Sequence, residues 1–431
     1  MNKTARSSIM ALSLATTALL LSACGSSSST DTTTTPTVTT GQLVDNYVAN
    51  ADYVCADGTT GVTDNNGTFT CPTLPVRFEV GGLQLGEVAA LATDRQVFPQ
   101  DLLGVTRDDI NNSDVIAMAQ FLQSCDADAN PQNGILIKEE IKSALADLNT
   151  TFDAADLDYY ATEANLTLVN QETAQNHLRH SVDFVEHVDS TDAPIAVKDA
   201  LLTPLNDLTQ DAKDTLSFMG NEERLAHDLY LELYNYHVEN GNGEVIQLTN
   251  IATGSETTHI QTVQSLIKKY DLNTSDFTNI DLPELGYKDT PVDAMVMGTY
   301  DIQEIQDLHD TLLAYGQAST QAALEVGCMV EVTDIDDLLV DIESAKASGA
   351  SDVTTAFEFL RDGSYSHYWS FDQGLKNMGI TDGCCSLGDA YCHPEFPQDT
   401  KGSDNAGSGD CNTTTETTQP QDGTGQRKGK Q

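Results

Sequence analysis

Several carboxylates and imidazoles in the second half of this chain stand at spacings that suit metal ligation. In a helix, Glu256-Thr-Thr-His259 places its two polar groups about 60° apart on one face. Glu331-Val-Thr-Asp334 repeats the spacing with two carboxylates. Glu223 leads Glu223-Arg-Leu-Ala-His-Asp-Leu-Tyr230, and His367 lies in Gly363-Ser-Tyr-Ser-His-Tyr-Trp369. Glu223, Glu256, His259, Glu331, Asp334 and His367 supply four carboxylates and two imidazoles. Hard oxygen donors combined with imidazole suit iron or manganese, with zinc as the usual competitor. Each residue also has a plainer reading. Glu223 can pair with His227 one turn on, Glu256 can face a helix dipole, and His259 can be a satisfied core histidine. Glu331 and Asp334 share an acidic run with Asp336, Asp337 and Asp341 that also reads as a solvated face. His367 stands among the aromatics Tyr365, Tyr368 and Trp369. Glu222, His227 and Glu325 are further candidates, read as surface groups or as groups supporting the ligands.

Such residues converge only if helices carry them. From about Leu205 the apolar residues recur at the 3.6-residue period. The pattern predicts four long helices, about 212–238, 249–270, 318–346 and 351–378, with a shorter one at about 302–315. Gly241-Asn-Gly243, the stretch 281–291 and Gly349 mark the breaks. Every long helix then carries a carboxylate or imidazole candidate. Four amphipathic helices with one long connection predict a ferritin-like four-helix bundle with a crossover. The residue set is that of its carboxylate-bridged di-iron sites.

At these residues the chain resembles the DUF2202 family of bacterial ferritin-like proteins. Met219 to Tyr230, Asn250 to His259, Ala323 to Leu338 and Leu360 to Phe371 carry the resemblance. The stretch from Glu223 to Tyr230 is also similar to the first metal helix of rubrerythrins, which bind two irons and reduce peroxide. The resemblance implies a ferritin-like bundle with Glu223, Glu256 and His259 as ligands. Where a ferritin-like fourth helix carries Glu-x-x-His, this chain has Ser364 three residues before His367. Asp334 is then expected to complete the set, or one metal is held weakly. No rubredoxin-type Cys-x-x-Cys pair is present, so peroxide turnover would require an external electron donor.

The rest of the chain predicts where the bundle sits. In its 431 residues, 21 Lys and Arg face 66 Asp and Glu, a formal net charge of −45. That argues against nucleic acid as a partner and for metal cations. Residues 1–24 read as a lipoprotein signal peptide, with Lys3 and Arg6 before a short apolar stretch. Leu21-Ser-Ala-Cys24 resembles a lipobox that lipidates Cys24. Gly25 and Ser26 follow rather than Asp, which suggests a lipid anchor in the bacterial outer membrane and hence a membrane partner. Residues 25–44 read as a Ser/Thr-rich tether, 186–209 as a linker and 399–431 as a disordered tail. Beyond Cys24, eight of the nine cysteines remain, an even number that suits disulfides in an oxidising compartment. Cys55 and Cys71 are expected to close a hairpin. Cys384, Cys385, Cys392 and His393 read as a disulfide knot in preference to zinc.

Residues 45–185 predict a smaller α+β domain, with strand alternation over 52–90 followed by helices. It resembles a module common on bacterial surface lipoproteins through the turn from Gly61 to Phe69, the Phe-Leu-Gln helix and the segment Asp126 to Ile137. Asp126, Asp128 and Asn130 start as an EF-hand-like loop, but Gly134 and Glu140 fall out of register. A polar turn is expected there, with weak calcium binding as the alternative. Residues 210–398 are expected to form the domain that resembles DUF2202. Two functions follow: a metal-binding redox or iron-handling bundle in the cell envelope holding Fe or Mn, or a non-enzymatic structural or adhesive lipoprotein with a vestigial metal site. A nucleophilic hydrolase is disfavoured, for no Gly-x-Ser-x-Gly is present. Neither enzymatic activity nor an oligomeric state follows from the sequence.

Overall fold

In β6 (Val76–Val80) the residues Val76, Phe78 and Val80 are buried and alternate with the half-exposed Arg77 and Glu79, the period-2 pattern of a strand covered on one face. Such alternation fills the N-terminal part of this computed structural model, which describes residues 38–272, 291–300 and 302–398. The preceding strands are β1 (Thr39–Leu43), β2 (Val48–Ala49), β3 (Asp52–Cys55), β4 (Thr60–Val62) and β5 (Thr68–Cys71). After β6 come β7 (Leu83–Val88), β8 (Gln96–Val97), β9 (Ile135–Leu136) and β10 (Thr150–Thr151). They form a five-stranded sheet of order β10-β7-β6-β3-β4, a three-stranded sheet β5-β1-β8 and the pair β2-β9. The helices of this region are α1 (Pro99–Leu103), α2 (Ser113–Ser124), α3 (Glu139–Leu145), α4 (Leu157–Glu163) and α5 (Gln171–Ser190).

Among the described residues the chain is mainly helical, and the strands are confined to this N-terminal region. Next come α6 (Ile195–Leu201), α7 (Gln210–Glu239), α8 (Ile246–Ile251) and α9 (Thr257–Lys269). They are followed by α10 (Gln303–Gly316), α11 (Thr320–Ser348) and α12 (Ser351–Asn377). Thr209 and Ser319 cap α7 and α11 by accepting the amides of Ala212 and Ala322, donors that a helix start leaves unsatisfied. Gly349 ends α11 in the left-handed conformation, with φ 76°. Helix α7 packs on α9 and α11, and α12 packs on α9 and α11. Two apolar clusters fill these contacts. One contains Leu216, Met219, Val263, Leu338, Phe357 and Leu360; the other contains Leu229, Leu233, Val326, Ile335, Tyr368 and Phe371. Glu223 on α7 falls between the two clusters, while Glu331 on α11 and His367 on α12 stand among residues of the second.

Four expectations need correction. The tether ends before residue 39, because Thr39–Leu43 forms β1, whose alternate residues Gly41 and Leu43 are buried. Residues 186–209 are not a bare linker: they hold the end of α5 and all of α6. Val188, Val197 and Leu201 share an apolar cluster with Leu216 and Phe357. The polar turn at 190–194 masks this amphipathic pattern. Cys55 and Cys71 are bonded, but the runs between them do not form one hairpin. β4 pairs with β3 while β5 pairs with β1, so the disulfide ties two sheets together. Cys125 is a free thiol in the core, where an even cysteine count suggested pairing. The signal peptide with Cys24, most of the tether, the connection 281–290 and the tail 399–431 lie outside the described residues.

The C-terminal knot resolves into Cys328–Cys384 and Cys385–Cys392, while His393 bonds Glu395. The Asp126 loop is built as a turn: Asp126 accepts the amides of Leu136 and Asn130, and Asp128 accepts those of Asn130 and the Asn133 side chain. No helix among the described residues is long and apolar enough to cross a membrane.

Candidate metal centre

Five of the six expected residues meet in one buried cluster. Glu223 comes from α7, His259 from the first turn of α9, Glu331 from α11 and His367 from α12. Glu256 closes a π-helical turn, Ala252–Glu256, that joins α8 to α9. Wide turns of this kind recur at functional sites because the extra residue turns a side chain out of α-helical register. Glu223, Glu256 and Glu331 are each 2 % exposed, His259 1 % and His367 5 %. These are burials that charged groups tolerate only when paired or ligated.

The residues form two triads that share Glu256: Glu223, Glu256 and His259, and Glu256, Glu331 and His367. One carboxylate oxygen of Glu256 lies 3.3 Å from His259 Nδ1 and the other lies 2.9 Å from His367 Nδ1. Glu223 Oε2 stands 3.1 Å from His259 Nδ1, and Glu331 Oε2 stands 3.4 Å from His367 Nδ1. The imidazole centroids are 5.6 Å apart. Both rings therefore turn the same nitrogen toward the shared carboxylate.

Outer contacts fix this arrangement. Ser255 Oγ lies 2.5 Å from His367 Nε2, and Tyr230 donates to Glu331 Oε1 at 2.5 Å. A Cβ on Gly363 would stand 2.4 Å from His259 Nε2, so only glycine leaves this ring its place. Ser255, Tyr230 and Gly363 were not foreseen. Tyr230 stands two turns after Glu223, on the same face, and that spacing was a readable signal.

Asp334 lies beside the triads, in the cavity that Glu223, Glu256 and Glu331 also line. It accepts a hydrogen bond from Ser364 Oγ at 2.6 Å and belongs to neither triad. The Ser364 hydroxyl on the neighbouring helix holds one of the Asp334 oxygens, and the other is left without a hydrogen-bond partner. Glu222 lines the same cavity as Glu223, Glu256, Glu331 and Asp334. His227 bonds Asp228 at 2.8 Å, and Glu325 accepts from Tyr315 and Gln321, so both are structural.

The electrostatics are those of a site rich in anions. Burial pushes Glu223 up to about 7, although His259 beside it acts the other way. Burial also raises Glu331, and it raises Asp334 well above the carboxylate range with help from the charges of Glu223 and Glu222. Burial would raise Glu256 too, but the imidazoles of His367 and His259 hold it below the ordinary range. Burial opposes charge on His367, yet Glu256 and Glu331 lift it to about 9. His259 is lifted well above the imidazole range, against burial, by Glu223 and Glu256. Protons are thus held where a divalent ion would replace them. Glu223 Oε1 is buried without a hydrogen-bond partner. That orphaned oxygen and the oxygen–imidazole donor set both fit a metal.

Fold and site together define a helical protein that buries carboxylates and imidazoles from four helical segments in one cluster. The profile of the family described as "Uncharacterized protein domain (DUF2202)" matches residues 212–389, and the chain belongs to this family. Every residue of the two triads lies inside that match. The chain is 30 % identical to the uncharacterized protein MJ0754 of Methanocaldococcus jannaschii over 176 residues, 41 % of this chain and 81 % of that protein. A crystal structure of the hypothetical protein MJ0754 from Methanococcus jannaschii aligns with 41 % of this chain and 86 % of its own, at 29 % identity and a TM-score of 0.33.

Proposed function

We propose that residues 210–398 form a ferritin-like four-helix bundle holding a pair of divalent iron or manganese ions, and that Cys24 anchors the chain in the cell envelope as a lipoprotein. The observation that carries the metal reading is Glu256: one buried carboxylate whose two oxygens face two imidazoles, each imidazole with a further carboxylate of its own. In such bundles carboxylates and imidazoles from facing helices project inward around two ions. Glu223 and His259 would complete one side, Glu331 and His367 the other. Bound Fe(II) would supply redox chemistry toward O₂ or peroxide. The chain's own residues orient the ligands through Tyr230 and Ser255 and exclude water through the apolar clusters on either side. The support for the anchor is the sequence from Lys3 to Cys24.

Elemental analysis of the purified exported protein tests this reading. The wild type is expected to carry on the order of one to two equivalents of Fe or Mn, the capacity of two triads. Glu256→Ala combined with His259→Ala should abolish it while the helical circular dichroism stays near wild type. A wild type without metal, or metal that survives the double substitution, would leave the bundle as a scaffold.

A further inference from the structure

Beside the two triads the structure keeps two acids that the ligand set does not use. Asp334 Oδ1 and Glu222 Oε2 are both buried and without a hydrogen-bond partner, as is Glu223 Oε1 of the first triad. All three residues line one cavity of about 90 Å³ between α7, α10 and α11, which also reaches Glu256 and Glu331. That volume holds several waters, enough for a cation with part of its hydration shell. The outer wall includes the exposed Leu308 and Thr333. On α11, Asp334, Asp337 and Asp341 stand at i, i+3 and i+7 and so share one face. Asp337 is exposed and Asp341 half-buried. Burial, then the neighbouring charges of Asp337, Glu223 and Asp341, raise Glu222 well above the usual carboxylate range. The acids thus run from Asp337 and Asp341 at the α11 surface to the buried oxygens of Glu222 and Asp334, and end at Glu223.

We propose that Glu222 and Asp334 form an outer station that captures a hydrated divalent cation from solvent and passes it through this cavity to the buried triads. The inference rests on the dinuclear reading above and adds the route by which the centre fills. The buried, unpartnered Glu223 oxygen marks the inner end of the route. The exposed face of α11 supplies the field that draws cations in, an effect that raises association rates by about 10 to 10³ and fades with salt.

Uptake of Mn(II) by the metal-free full chain, followed through loss of the free-ion electron paramagnetic resonance signal, gives both a rate and a final stoichiometry. Glu222→Gln with Asp334→Asn is expected to slow uptake about tenfold or more at low salt and to leave the final stoichiometry unchanged. Asp337→Asn, an exposed change that the fold tolerates, should slow it by a smaller factor, with the difference disappearing at high salt. Wild-type rates in both variants would overturn the proposal. So would a lost equivalent of Mn(II) in the double variant, which would make the pair ligands of the centre itself. A wild-type chain that takes up no Mn(II) at all would overturn the dinuclear reading instead, and this route with it.

Discussion

The strand-rich region and the helical region bury acidic groups in different ways. In the first, Asp45 is wholly buried and alone: Gln123 donates to one oxygen at 2.9 Å, and His177 stays 3.9 Å from the other. Burial pushes its carboxyl up to about 7, so much of it is neutral in weak acid. In the second, Glu223, Glu256 and Glu331 crowd around two imidazoles whose proton affinity they raise against the effect of burial. A lone buried acid is neutralised by one proton. A cluster of acids that shares its oxygens between imidazoles is a place where a doubly charged ion can replace protons. The difference separates a polar group that the core tolerates from a set that the fold assembles.

Three further experiments would break or sharpen that contrast. The largest effect is expected from the staples of the two regions. Cys328–Cys384 closes 56 residues of the helical region and Cys55–Cys71 closes 16 of the strand region. The loop-entropy relation gives about 4 and about 3 kcal/mol respectively. Denaturant unfolding of Cys328→Ser/Cys384→Ser and of Cys55→Ser/Cys71→Ser should rank them in that order. The reverse ranking would show that chain entropy does not govern them.

A pH effect of comparable size is expected at Asp45. Its folded pKa lies above its ordinary value, so its contribution to stability is full below about pH 4 and is lost as pH rises through about 7. By linkage the swing is on the order of 4 kcal/mol. His177, lowered by burial, opposes this on the acid side of its ordinary range. Asp45→Asn should therefore flatten the stability profile between about pH 4 and 7. A profile equal to wild type would show that Asp45 stays ionised. The smallest effect concerns Gly363→Ala. In an open helix that change gains about 0.5–1 kcal/mol. Here the new Cβ meets His259, so a loss of about 1–3 kcal/mol is expected, as for overpacking, with weaker metal binding. A gain in stability would mean that the ring moves aside freely.

Much of the helical region was legible because its apolar residues keep the 3.6 period. The four long helices and the shorter one appear within a few residues of the expected spans. Glu256 and His259 were legible as neighbours at i and i+3, and His367 and Glu331 through the rule of one polar group per helix. The π-helical turn was not, since the apolar pattern around Ile251 and Ile260 runs on across it. Spacing along α11 told which face Asp334 shares with Glu331, but not that Ser364 on α12 would bond it. Glu222 looked like a surface neighbour of Glu223, and only the packed cavity shows otherwise. In the N-terminal region the strands followed from alternation. Their partners did not, because pairing β5 with β1 joins segments that local pattern cannot connect.

The central claim is that Glu256 serves two metal positions at once, whereas Glu223 serves one. Calorimetric titration of metal-free protein with Mn(II), without oxygen, compares wild type, Glu223→Ala and Glu256→Ala directly. The account predicts about two ions for the wild type, about one for Glu223→Ala, and tight binding of none for Glu256→Ala, as expected when a bridging ligand is removed. Equal stoichiometry in the two variants, or a wild type that binds no Mn(II), would contradict it.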